Sequence, residues 1–132
     1  MDSNELVIKQ IEDAKTAKGS PFAVDGYLFV VRTLDSLMEK IAASSGTRRH
    51  VTGQELSLAV RDMALGQFGP AAHLVLDHWA IRRTEDIGRI VYDLIEAGLL
   101  GKTESDRIED FSGVYDFEEE LVRKFRFSVD SI

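Results

Sequence analysis

Apolar residues recur along this chain mostly at helical spacing, most clearly from Thr84 to Leu100. There Ile87, Ile90, Val91, Leu94 and Ile95 fall at i, i+3, i+4, i+7 and i+8, one stripe on an α-helix. Thr84 stands where a hydroxyl would cap the helix start, Glu85 and Asp86 place negative charge at the positive end of the helix dipole, and Gly98 supplies a stop. The stripe leaves Asp86, Arg89, Asp93 and Glu96 on the outer face, where Arg89 would be neutralised by Asp86 and Asp93. Gly88, inside this helix, costs about 1 kcal/mol relative to alanine and points to a close neighbour, either the preceding helix or Trp79.

Four helices are predicted upstream. The first spans Asn4 to Ala17, capped by Asp2 or Ser3, with Val7, Ile8, Ile11 and Ala14 inward and Gly19, Ser20 and Pro21 ending it. The second runs from Ala23 to Ala42 on Tyr27, Val30, Val31, Leu34, Leu37, Met38 and Ile41. Phe22, Leu28 and Phe29 widen its stripe, which predicts burial on more than one side: inside the core, the favoured reading, or against a second copy. Ala43 to His50 reads as a connection. Thr52 and Glu55 then form a capping box for a third helix built on Leu56, Ala59, Val60, Met63 and Ala64. Gly69 and Pro70 restart the chain into a short fourth helix, Ala71 to Trp79.

Beyond the fifth helix, Gly101 to Tyr115 lacks a helical stripe and contains Gly113, which predicts a short β-hairpin; Asp116 and Glu119 then open a terminal helix carrying Phe117, Leu121 and Phe125. The expectation is a mainly α single domain, 1–132. Its 50–132 portion would be winged-helix-like, three helices plus the hairpin, with an N-terminal helical pair, 1–43, packed on it.

With 132 residues and 44% hydrophobic content, the chain matches one domain with a real core. No cysteine is present, so disulfides, thiolate metal sites and cysteine nucleophiles are excluded. The start, MDSNELVIKQIEDAK, lacks the blocks of a signal peptide, and no apolar run reaches the ~20 residues of a membrane span, so a cytoplasmic protein without a membrane partner is expected. A net charge of −7 and an isoelectric point near 4.9 argue against nonspecific attraction to nucleic acid.

The segments HVTGQEL (50–56), FGP (68–70), WAIRRTEDIGRIVYDLIEAGLL (79–100), EDF (109–111) and YDF (115–117) resemble a family of uncharacterised bacterial proteins described as restricted to Planctomycetes and Verrucomicrobia. The resemblance covers most of the chain from the second helix onward, with 79–100 its most specific part. That family has glycine after the tryptophan where this chain has Ala80, which argues against a positive-φ turn there. The resemblance implies a compact intracellular bacterial domain and brings no activity, cofactor or site residue with it.

Candidate chemistry is sparse. A DNA-reading winged helix needs a basic wing, whereas Glu104 to Glu120 carries eight carboxylates against Arg107. Two basic spots remain, Arg48 and Arg49 with His50, and Arg82 with Arg83; guanidinium forks there could grip a phosphate or an acidic partner, against the simpler reading of solvated surface charge. His73 and His78 lie ~140° apart on a helix and cannot share an ion, while His73 and Asp77 can meet as a surface pair. Asp106 and Asp110 lack the central glycine and closing glutamate of a calcium loop. Neither a nucleophile elbow nor a phosphate loop is present, and Trp79 reads as a core anchor.

The sequence therefore predicts no metal, no cofactor and no enzyme. It predicts a protein-interaction module with an acidic hairpin, whose partner is another protein or a second copy. Arg48, Arg49, Arg82, Arg83 and Arg89 are the candidate partner-binding residues. The alternative is a nucleic-acid-associated transcriptional regulator using those arginines as one face, and their clustering in space would separate the two.

Overall fold

The structure is a computed structural model that describes residues 2–46, 49–101 and 107–124. Five α-helices carry the fold: α1 Ser3–Lys18, α2 Val24–Ser45, α3 Gly53–Phe68, α4 Ala72–His78 and α5 Thr84–Glu96. A 3₁₀ turn, Gly69–Ala71, leads into α4, and a second, Ile108–Phe111, precedes a last helical segment at 117–124 that includes a π-helical stretch, Glu119–Arg123. Helices α2, α3 and α5 pack on one another, with α1 against α5 and α2 and with α4 against α3. Their inward residues form one cluster that includes Ile11, Phe22, Tyr27, Val30, Val60, Leu76, Ile87, Ile90 and Leu94.

Helix ends follow local chemistry. Asp2 caps α1, accepting from the Glu5 N–H at 2.8 Å. Thr52 and Glu55 form the expected reciprocal box at α3. Gly19 ends α1 in the left-handed region, with the Gly19 and Ser20 N–H groups donating to Thr16 and Lys15 carbonyls; Gly98 and Leu99 repeat the motif after α5, donating to Ile95 and Leu94. The same motif closes α4, where Ala80 and Ile81 donate to Asp77 and Leu76, and Ala80 takes a φ of 67°. The expectation that alanine argues against a positive-φ turn here is thus corrected. The two turn hydrogen bonds hold Ala80 where glycine is usually found.

The winged-helix expectation is overturned. Among the described residues there is no strand, and the predicted hairpin is replaced by the 3₁₀ turn at Ile108–Phe111; the part of it at 102–106, with Asp106, lies outside the described residues. Besides the local bonds of that turn, the segment bonds to the start of α5. The Thr84 hydroxyl donates to the Phe111 carbonyl at 2.6 Å and accepts from the Val114 N–H at 3.2 Å, while the Gly113 N–H donates to the Glu85 carboxylate. Backbone groups that a hairpin would pair across strands are satisfied by α5 side chains, so no ladder is needed. This also removes Thr84 from its predicted cap role: it is the first helical residue, and the Asp86 carboxylate reaches back to accept from the Arg82 N–H at 2.9 Å.

Phe111 explains Gly88. A Cβ on Gly88 would lie 2.8–3.0 Å from Phe111 side-chain atoms, so the close neighbour is this turn and not α4 or Trp79. Trp79 instead packs with Phe29 and Phe68, at ring centroids 5.4 and 5.8 Å, and approaches Gly26. Phe117 and Leu121 are buried as the terminal helix predicted; Phe125 lies outside the described residues.

Candidate functional site

The first half of α2 is core: Tyr27, Phe29, Val30 and Thr33 are buried. Farther along, Leu34, Leu37, Met38 and Ile41 continue the same stripe but are only partly buried. Leu34 and Met38 here face a cleft of about 530 Å³ rather than solid packing. Its opposite wall is Val91, Tyr92 and Ile95 of α5; Val51, Leu56, Leu100 and Phe111 complete the apolar lining. Arg49, His50, Arg107 and Asp110 are its ionisable polar members. A volume in the range of about 300–1,000 Å³ with mostly apolar walls and a few polar groups is the form of a binding site.

The α3 start is closely packed. A Cβ on Gly53 would stand 2.9–3.1 Å from Asp110 atoms, so glycine lets the 3₁₀ turn close against the helix. Arg49 grips Glu55 through two hydrogen bonds, 2.7 and 2.9 Å, and also donates to the His50 carbonyl at 2.8 Å. That guanidinium, together with the capping N–H of Thr52, draws the Glu55 carboxyl down from 4.5 to about 2. Arg107 is exposed and its guanidinium has no ion pair among the described residues.

The described candidate arginines Arg49, Arg82 and Arg89 each stand beside a carboxylate. Arg48 lies outside the described residues, and Arg49 belongs to the cleft mouth. Arg82 pairs with Asp77 at 2.8 Å, and the predicted His73–Asp77 ion pair is absent among the described residues, although His73, after Arg82, still helps to lower the Asp77 pKa. Arg89 stands 4.0 Å from Asp86 and lies over the Phe22 ring at 5.2 Å. Arg83 is exposed beside them. Arg82 and Arg89 thus share Asp86 as a neighbour at the head of α5, and Arg49 is held separately by Glu55 at the head of α3.

The assumed outer face of α5 is likewise corrected. Asp86 and Asp93 are 6% and 7% exposed, so neither is a solvated surface charge. One Asp93 carboxylate oxygen accepts from both the Tyr27 and Ser20 hydroxyls at 2.6 Å, tying the α1–α2 junction to α5. Burial, and then the hydrogen bond to Asp93, push the Tyr27 phenol well above its ordinary value. Asp93 is therefore not the partner of Arg89 that the spacing suggested.

Among the described residues no group of three histidine or carboxylate side chains converges in a way that would hold a metal ion. No described helix is long and apolar enough to cross a membrane. The sequence reading missed the cleft and Arg107 within it. Its available signal was the α2 stripe, which runs on past the residues the core consumes. No protein-family model, curated protein or solved structure matches this chain.

Proposed function

We propose that the domain is a non-enzymatic interaction module, and that it engages a protein partner through the cleft between α2, α3 and α5. The apolar cleft of about 530 Å³ carries this reading. It leaves Leu34, Met38, Val91 and Ile95 short of full burial, so an apolar segment seated there would gain contact area that the fold itself does not provide. The acidic hairpin has no place in the proposal, because the described part of the segment assigned to it bonds to α5 and contains no strand. A regulator using one arginine face is not favoured, since Arg49, Arg82 and Arg89 each engage a carboxylate of their own neighbourhood.

Peptides displayed on phage and selected on the wild-type domain provide the test. Selected sequences should bind wild type and lose at least ~10-fold in affinity on Ile95→Arg, which places a charge in the apolar wall of the cleft. Circular dichroism checks that the variant is folded. Peptides that bind both proteins equally would overturn the assignment.

A further inference from the structure

Resting on that cleft assignment, we infer that the recognised segment is acidic as well as apolar: one or more hydrophobic anchors beside an Asp or Glu. The ionisable groups lining the cleft are Arg49, His50 and Arg107 against Asp110. Arg107 and Asp110 carry opposite charges there, and Glu55 neutralises Arg49. Arg49 is already committed to Glu55, whereas the exposed Arg107 guanidinium has no ion pair among the described residues. An incoming carboxylate therefore meets a fork able to bind it in bidentate fashion, while an incoming ammonium meets Asp110 with Arg107 nearby in sequence.

The global charge of −7 opposes an acidic partner at long range, and the exposed Arg107 guanidinium favours it at contact. Near ~0.15 M salt the Debye length is about 8 Å, so contact decides. The close packing of Asp110 on Gly53 fixes the backbone of the turn that carries Arg107, so the guanidinium is presented from an anchored base.

The selected peptides supply the probe. Their flanking positions should be enriched in Asp and Glu over Lys and Arg. A synthetic peptide in which those acids are replaced by lysine should bind wild type about tenfold more weakly by fluorescence anisotropy at ~0.15 M salt, and Arg107→Glu should reverse that preference. Arg107 is exposed, and an unchanged circular dichroism spectrum would show that reversal is not misfolding. Selected peptides without acidic enrichment, or a preference that Arg107→Glu leaves intact, overturn the acidic assignment while loss of binding on Ile95→Arg still supports the cleft. No enrichment at all, or indifference to Ile95→Arg, overturns the cleft itself. A small amphiphile that co-purifies with wild type, is released on denaturation and is absent from Ile95→Arg would overturn a protein segment as occupant.

Discussion

Asp93 and Leu94 are neighbours on α5, and apolar spacing assigned them opposite fates. Leu94 is buried as expected, so Leu94→Ala should cost about 2–5 kcal/mol in urea unfolding. Asp93→Ala, which the stripe alone places near zero, should cost about 1–3 kcal/mol, because the hydroxyls of Tyr27 and Ser20 lose their acceptor. A hydrophobic pattern marks where apolar residues point and is silent on a carboxylate whose donors lie 66 and 73 residues away. Ala80 shows the complementary blindness: its φ of 67° comes from the α4 closing bonds, which residue preference argued against. Ala80→Gly should relieve left-handed strain and raise stability by up to about 1 kcal/mol, less the added freedom of the unfolded chain; a lower melting temperature would show that this backbone is not strained.

At the scale of elements, most of what was legible is encoded within a few residues, the Thr84 cap and the Ala80 turn being local features that were misread. The Asp2 cap, the Thr52–Glu55 box and the Gly19 and Gly98 stops connect near neighbours, and all four are found. The hairpin failed because Thr84 and Glu85 compete for its backbone from 27 to 30 residues away. The α3 start also carries a pH dependence. Glu55 has a folded pKa drawn down to about 2 from 4.5, so its stabilising contribution is complete above about pH 4.5 and is lost as pH falls toward 2. Carboxyl NMR titration should find this depressed value in wild type and a marked rise in Arg49→Ala, since the Arg49 hydrogen bond is the largest cause. An unchanged Glu55 titration in that variant would mean the Thr52 cap, not the ion pair, sets the shift.

For the molecule as a whole, charge placement decides which class of partner is approached at all. The net charge of −7 repels duplex DNA at a distance, and phosphate neutralisation, the main source of nonspecific affinity, requires cations free to replace counterions. Arg49, Arg82 and Arg89 already face Glu55, Asp77 and Asp86, so binding phosphate would mean competing with those carboxylates. Arg82 and Arg83, both exposed at the head of α5, are the best-placed pair for a phosphate. Wild type should therefore bind mixed-sequence and genomic duplexes only weakly in anisotropy measurements across a salt series, and Arg82→Ala/Arg83→Ala should change that binding little. Submicromolar, sequence-selective binding at ~0.15 M salt, abolished by the double substitution, would instead make the α5 head a DNA-reading surface and displace the cleft as the principal site.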